Sequence, residues 1–194
     1  MRRYVVGQSE VEKIAVEIYK KHKEALDIIF QYKPDIYLEL SEFIQGELKK
    51  NKNIIVDSGG KALIRFTTKL LDSLIDKVGE GWTKSKRILM FEIDIYNDRV
   101  NLRLYIGPGD NDYREALRQF FLKQKDLFKL VDRKFGTKWH AVYQKRIPIK
   151  RDFDEKDNDE LKETTSSKLG DFFEKYLPKI ENYIADNWQK ELNP

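Results

Sequence analysis

One segment, residues 87–107, constrains the fold more than any other. It reads RILMFEIDIYNDRVNLRLYIG: two alternating strands around Asn97-Asp98, residue types that tolerate the positive φ of a two-residue hairpin turn. Counting outward from this turn places Ile93 opposite Leu102 and Glu92 opposite Arg103. One face then contains Phe91, Ile93, Ile95, Val100, Leu102 and Leu104, and the other contains Glu92, Asp94, Asn101 and Arg103. The segment predicts an antiparallel hairpin that buries one face and leaves the other polar.

The residues before this hairpin predict helices and a further pair of strands. Ser9 and Glu12 have the spacing of a capping box, and an apolar stripe follows to about Phe30, with His22 on it as a hydrogen-bonded core residue. Pro34 begins a second helix, so residues 1–50 form a helical pair. Segment 54–67 predicts two strands around Gly59-Gly60, and segment 69–78 a short helix.

The residues after the hairpin predict a helix over 112–131, a strand over 138–149 and a C-terminal helical segment over 152–194. Pro178 must kink that last helix or begin a new one, since proline has no N–H. We therefore predict an α+β fold with a central antiparallel hairpin and helices on one face of the sheet. The domain organisation predicted is a single domain over 1–194, with the sheet and its helices in 54–149.

Composition excludes several classes of site and of protein. The chain has 194 residues, 40% of them hydrophobic and 36% charged, which is typical of a globular protein. It has no cysteine and only two histidines, which excludes disulfides, thiolate zinc sites and cysteine nucleophiles. No apolar run approaches the roughly 20 residues that span a bilayer. We predict a cytoplasmic protein with no membrane contact, no cofactor and no metal.

The loop Ile106-Gly107-Pro108-Gly109 leads into a helix and raises the possibility of a phosphate site. Three acids follow it, Asp110, Asp112 and Glu115, and the last two have the spacing of an acidic capping box. A phosphate would be repelled there, so a simple turn is favoured, with Arg114 as the one nearby group that favours an anion.

Glu92 and Asp94 point to one face of their strand and have oxygen ligands suited to a divalent cation. The favoured interpretation is an ordinary polar face, with Glu92 paired to Arg103 and Asp94 bonded to Asn101. Neither histidine has a local partner of the kind catalysis requires. We predict no catalytic residue.

The strongest functional feature is the basic stretch from Lys129 to Arg151, which has eight basic residues and one acid. Cations that contact phosphates alternate there with rings that stack on bases. The predicted nucleic-acid contacts are Lys134, Lys138, Trp139, Tyr143, Lys145, Arg146, Lys150 and Arg151, with Lys84, Lys86 and Arg87 as possible additions. Two alternatives stay open: a charged edge strand that resists aggregation, and pairing with the acidic run at 152–163.

The order of motifs between about residues 65 and 184 carries a family resemblance. The motifs are IRFTTKLLDSLI, GWTKSKRILMFEI, VNLRLYIGPGDNDYREAL, KWHAVYQKRI and FFEKYLPKIENYI. This region resembles the part downstream of the nuclease core in bacterial and phage proteins of the PD-(D/E)XK superfamily. Pro34-Asp35 lies at a predicted helix start, and Glu92-Ile93-Asp94 has an aspartate where that family has its lysine. The resemblance thus implies a non-catalytic accessory domain in DNA metabolism or phage defence.

Three functions follow from these observations. The first is a non-catalytic domain that binds DNA or RNA through the basic stretch. The second is a protein-interaction module or self-associating subunit with no nucleic-acid contact. The third is a divergent metal-dependent nuclease that uses Glu92 and Asp94.

Overall fold

The computed structural model describes residues 6–32, 35–96, 99–131, 134–148 and 155–192. Contacts divide the chain into two compact units, residues 1–35 and 36–194. The boundary lies inside the helical pair predicted for residues 1–50. The single domain predicted over 1–194 stays a prediction.

The first unit contains two helices, α1 (Val6–Lys21) and α2 (Lys23–Tyr32). The single helix predicted from Ser9 to about Phe30 is therefore wrong in two respects: the helix begins before Ser9, and it is interrupted at His22. The prediction of a buried His22 is also wrong, because His22 is exposed. Within the described part of this unit there is no second layer to cover the apolar stripe.

The second unit is built on a five-stranded antiparallel sheet in the order β1-β2-β3-β4-β5. The strands are β1 (Ile54–Gly59), β2 (Leu63–Thr68), β3 (Leu89–Tyr96), β4 (Arg99–Ile106) and β5 (His140–Pro148). Each strand neighbours the next along the chain, which is the simplest connection for antiparallel strands. The predicted α+β fold with a central antiparallel hairpin is confirmed.

The register of the β3–β4 hairpin is the one that the alternation predicts. Ile93 lies opposite Leu102, Glu92 opposite Arg103 and Asp94 opposite Asn101. The apolar face is buried throughout. A one-residue slip would move every apolar side chain of a strand to the other face, so this burial specifies the register. The turn residues 97 and 98 lie outside the described residues.

The described residues of this unit form five α-helices. They are α3 (Ile36–Lys50), α4 (Lys69–Leu74), α5 (Asn111–Leu122), α6 (Glu155–Asp171) and α7 (Leu177–Leu192). Helix α5 ends nine residues before the predicted Val131, because the chain beyond it turns to pair with the sheet: the Leu130 N–H donates to the Val142 carbonyl at 3.2 Å. Helix α4 is also shorter than predicted. Pro34 is not among the described residues.

The core lies between the apolar sheet face and the C-terminal helical segment. Phe66 and Phe91 stack on neighbouring strands with ring centroids 5.1 Å apart, and Phe172 meets Phe91 edge-on at 5.5 Å. Phe173 contacts Phe66 at 6.3 Å. Aromatic pairs at these distances add about 0.5–1.5 kcal/mol to the free energy of burying their area.

A change of helix type lies beside Pro178. A π-helical turn, Phe172–Tyr176, follows α6 directly and precedes α7, and the Leu177 N–H donates to the Phe172 carbonyl, five residues back. Pro178, which has no N–H, is the second residue of α7 and lies just after the change from π- to α-helical hydrogen bonding. The predicted kink or new helix start at Pro178 stays a prediction.

Candidate nucleic-acid interface

The loop that enters β5, residues 134–139, presents the exposed part of the basic stretch. We call it the 134–139 loop. Lys134 and Lys138 are exposed, and Trp139 is 47% exposed. The Lys138 Nζ lies 6.0 Å from the centre of the Trp139 ring. Lysine ammonium groups beside an exposed indole are suited to phosphates and to a nucleobase face.

Arg114 of α5 fixes the backbone of the 134–139 loop. Its Nη1 donates to the Thr137 carbonyl at 3.0 Å, and its Nη2 donates to the Gly136 carbonyl at 2.6 Å and the Lys138 carbonyl at 3.4 Å. Its Nε donates to the Gly107 carbonyl at 2.8 Å. Arg114 is 3% exposed, so these carbonyls take the place of water around the guanidinium.

Phe135, within the same loop, packs on two arginines of α5. Its ring lies 4.8 Å from the guanidinium carbon of Arg114 and 5.2 Å from that of Arg118. The His140 ring meets it edge-on at 4.9 Å. His140 is buried, its Nε2 lies 3.2 Å from the Val131 carbonyl oxygen, and burial lowers the pKa of its imidazole. The histidine therefore supports the loop as a neutral side chain.

Gly136 permits the tight backbone of this loop. A Cβ at this position would lie 2.3 Å from the carbonyl oxygen of Trp139, a distance that real Cβ atoms do not adopt. The approach involves backbone on both sides, so no side-chain movement would relieve it. The loop conformation therefore depends on glycine at this position.

The other predicted contact residues lie elsewhere. A β-bulge where β5 meets Leu104 and Tyr105 places both His140 and Tyr143 toward the core, which breaks the simple alternation expected for the strand. Tyr143 is 7% exposed and packs on Phe172 at 6.0 Å. The prediction that Tyr143 stacks on a base is wrong for this reason.

Lys145 and Arg146 lie on opposite faces of the sheet. The Lys145 Nζ is 4.1 Å from the centre of the Tyr176 ring, and burial lowers the pKa of this lysine. Arg146 is exposed on the polar face, opposite Asn101. These two cations do not form one surface with each other. The predicted contacts Lys150 and Arg151 lie outside the described residues.

The segment before β3 contributes one cation to the interior. Arg87 pairs with Asp57 on the bulge of β1 and with Asp72 of α4, and the Arg87 Nε–Asp72 Oδ1 distance is 2.6 Å. The hydrogen bond from Arg87 lowers the pKa of the Asp72 carboxyl. Arg87 is thus a structural link between sheet and helix, which makes it a poor phosphate contact. Lys84 and Lys86 are exposed.

The polar sheet face is a network of ion pairs. Arg65 Nε donates to Glu92 Oε1 at 2.6 Å, and Arg103 Nη1 donates to Asp94 Oδ2 at 3.0 Å. The strand register is as predicted, but the predicted side-chain contacts Glu92–Arg103 and Asp94–Asn101 are wrong. Arg65 of β2 lies opposite Glu92 and binds it, and Arg103 reaches diagonally to Asp94. Burial raises the pKa of the Asp94 carboxyl, and the nearby Glu92 charge raises it further.

This face is poorly arranged for a divalent cation. Each of the two carboxylates has an arginine partner, whose positive charge opposes that of a metal ion. Over the described residues, no group of three or more His, Cys, Asp or Glu side chains has a metal-binding arrangement. The geometry does not favour the nuclease hypothesis.

The Gly-Pro-Gly loop is held by its neighbours. The Glu80 N–H donates to the Pro108 carbonyl at 2.9 Å, and Gly79 pairs with Gly109. Asp110 caps α5, accepting from the Tyr113 N–H at 2.8 Å, so the predicted Asp112–Glu115 capping box is wrong. Arg114 donates to four carbonyls, which leaves it committed to the backbone. This loop is a turn.

An open groove of about 750 Å³ runs between α3 and α6, lined by Phe43, Glu47, Lys50, Asp159, Lys162, Glu163, Ser166 and Ser167. Its two lysines pair with acids: Lys50 with Glu47, and Lys162 with Glu39 at 3.6 Å. The groove has mixed charge and no distinct preference for one ligand class.

Sequence reasoning missed Arg114 as the anchor of the loop. The signal available was an arginine in the first turn of an amphipathic helix. The partners of this arginine are backbone carbonyls, which leave no trace in the sequence.

No family model, no curated protein and no solved structure matches this chain. Among the described helices, none is long and apolar enough to cross a membrane.

Proposed function

We propose that this chain is a non-catalytic nucleic-acid-binding protein that contacts the phosphate backbone through the 134–139 loop. Lys134 and Lys138 would neutralise phosphates, and Trp139 would stack on a base. The observation that carries the proposal is a half-exposed tryptophan that follows two exposed lysines on a loop fixed by a buried arginine.

Rigidity is the first support for this proposal. A loop held by three carbonyl hydrogen bonds from Arg114 loses little conformational entropy when a ligand binds. An edge strand that only resists aggregation needs exposed charge, and it has no need of a fixed backbone or an exposed indole. The arrangement therefore favours recognition over simple protection.

Charge is the second support. The described residues from Lys123 to Lys138 include five exposed lysines and one exposed acid, Asp126. The lysines are Lys123, Lys125, Lys129, Lys134 and Lys138. A local excess of positive charge attracts polyanions even when the net charge of the chain, +4, is modest. The relationship to the PD-(D/E)XK superfamily, and a role in DNA metabolism or phage defence, stay predictions.

A fluorescence-anisotropy titration with a labelled duplex and a labelled single strand tests the proposal. The charge-reversal variant Lys134→Glu/Lys138→Glu should weaken binding by about tenfold or more at low salt, which corresponds to ~1.4 kcal/mol. Trp139→Ala should weaken binding to the single strand by ~1–3 kcal/mol, and binding to the duplex less.

The matched control is Lys52→Glu/Lys69→Glu, which makes the same change of charge beside β1, at the opposite edge of the sheet from β5. An interface at the 134–139 loop leaves this control close to wild type. Equal losses in both variants would mean that total charge alone drives binding. No binding by the wild type at low salt would overturn the proposal and favour a protein-interaction module.

A further inference from the structure

Helices α1 and α2 form one nearly continuous rod. They have 16 and 10 residues and are joined by His22 alone. The hydrogen-bond ladder continues across the bend, with the His22 N–H donating to the Ile18 carbonyl at 3.0 Å and the Leu26 N–H to the His22 carbonyl at 2.9 Å. The Tyr19 hydroxyl donates to Asp27 Oδ1 at 2.7 Å and ties the two parts together.

This rod exposes an apolar stripe. Val11 is 67% exposed, Ile14 56%, Ile18 51% and Ile29 55%. Their spacing places them on one side of the helix, since 3.6 residues complete a turn. The large apolar residues of the rod that are exposed are Val11, Ile14, Val16, Ile18, Tyr19, Ile28, Ile29, Phe30 and Tyr32.

Such a helix gains too little from its own backbone to be stable alone, and most helical stability comes from packing an apolar face. In the described part of the second unit, the exposed large apolar side chains are Leu38, Leu70, Tyr96, Trp139 and Tyr176. They lie on five different segments and form no stripe. The surface that matches the rod best is therefore the rod of a second copy.

We propose that two copies of this chain associate through antiparallel pairing of their α1–α2 rods. The charged residues of the rod favour one orientation of the two rods over the other. Glu10 and Lys21 lie on the same flank of the stripe, about 20° apart around the helix axis, since successive residues are ~100° apart. Antiparallel pairing centred between Ala15 and Val16 places Glu10 near Lys21 of the second copy, whereas parallel pairing in register places Glu10 beside Glu10 and Lys21 beside Lys21.

The area available is that of a small interface. Each half-exposed valine or isoleucine of the stripe offers somewhat under ~100 Å² of apolar surface. The four stripe residues therefore offer roughly 300 Å² per copy, less than half of the roughly 800 Å² per partner of a standard interface, which is typical of a weak, transient dimer. The proposal concerns the first unit and does not depend on nucleic-acid binding.

Sedimentation equilibrium of the full chain, with two matched valine substitutions, tests the proposal. Val11 and Val16 lie on the same helix, about 140° apart around its axis, and both are exposed. Val11→Asp places a charge in the stripe and should raise the dimer dissociation constant at least about 100-fold. Val16→Asp places the same charge off the stripe and should change that constant less than about threefold.

Orientation is tested by crosslinking, because the chain has no cysteine of its own. Glu10→Cys and Lys21→Cys variants, one carrying a mass tag, are mixed and oxidised. Antiparallel pairing predicts a disulfide between the two different chains, in excess over either homodimer. A wild type that stays monomeric to ~100 µM, equal effects of the two valine substitutions, or preferential crosslinking of like chains would each overturn the proposal. A monomer that binds lipid vesicles through the stripe would overturn it too.

Discussion

Two regions of the second unit hold positive charge in opposite ways. On the polar sheet face, Arg65 and Arg103 lie within ion-pair distance of Glu92 and Asp94. In the 134–139 loop, Lys134 and Lys138 are exposed, and neither has an ion-pair partner among the described residues. The two central arginines of the sheet face are paired internally, and the loop presents its lysines to solvent.

The difference teaches how the chain divides its basic residues by type. The planar guanidinium of arginine holds several acceptors in fixed directions, which suits a half-buried network. The lysine ammonium is strongly hydrated and mobile, and it loses little by staying in water until a phosphate arrives. Arg65, Arg103 and Arg114 therefore fix the structure, and the lysines of the loop are available for binding.

The largest expected effect comes from Arg114→Met. The substitution leaves the carbonyls of Gly107, Gly136 and Thr137 without their donor in a buried site. We expect a loss of about 3–5 kcal/mol in the free energy of unfolding, measured by urea denaturation. Arg118→Met is the matched control: it lies one turn later on α5, its side chain is 24% exposed and pairs with Glu115 at 3.1 Å, and it contacts the loop through the Phe135 ring, without donating to the loop carbonyls. It should cost about 1 kcal/mol or less. Equal losses would contradict the anchoring role of Arg114.

The second largest expected effect comes from Glu92→Gln on the polar sheet face. Glu92 is 8% exposed and accepts from Arg65 and from the Trp82 indole N–H at 3.3 Å. Glu92→Gln keeps the shape and removes the charge, so Arg65 is left half-buried without its counter-charge. We expect a loss of about 1–3 kcal/mol in the same denaturation measurement. A variant as stable as the wild type would show that this network contributes nothing to the fold.

A pH effect tests the buried state of His140. Burial lowers the pKa of His140 in the folded state, so the unfolded chain binds its proton first as the pH falls. The free energy of unfolding should therefore decrease as the pH drops below about 6.5, the ordinary histidine pKa. His140→Gln should reduce this dependence in pH-resolved denaturation. A variant with the same pH dependence as the wild type would contradict the buried, neutral state of His140.

The smallest expected effect is that of the loop lysines on stability. Lys134→Glu/Lys138→Glu changes exposed side chains without internal ion pairs. The free energy of unfolding should change by less than about 0.5 kcal/mol. Thermal unfolding of this variant beside Arg114→Met measures the contrast between the two regions directly. A loss of several kcal/mol would mean that these lysines belong to the structure of the loop.

The sheet could be predicted from the sequence because alternation fixes its register. All the pairs between β3 and β4 counted from Asn97-Asp98 are present, from Tyr96–Arg99 to Phe91–Leu104. The partner of Glu92 could not be predicted in this way, because it comes from β2, a strand distant in sequence. A prediction from the β3–β4 hairpin alone lacks β2, whose Arg65 competes with Arg103 for the carboxylate of Glu92.

The candidate site could be predicted in part. The basic stretch indicated Lys134, Lys138 and Trp139, which are exposed. The prediction for Tyr143 was wrong because a bulge in β5 changes which side chains face the core. A bulge has no clear signature in a strand of this composition. The predicted end of α5 was wrong for a related reason. The apolar periodicity continues past Leu122, but the backbone hydrogen bond between Leu130 and Val142 draws this segment to the sheet.

The salt dependence of binding tests the central claim most directly. Each phosphate neutralised on duplex DNA contributes about 0.9 to the slope of log K against log salt concentration. Lys134→Ala/Lys138→Ala should therefore reduce the magnitude of the slope by about 2, whereas Lys52→Ala/Lys69→Ala should leave it unchanged. An unchanged slope in the loop variant would mean that the 134–139 loop does not contact the phosphate backbone.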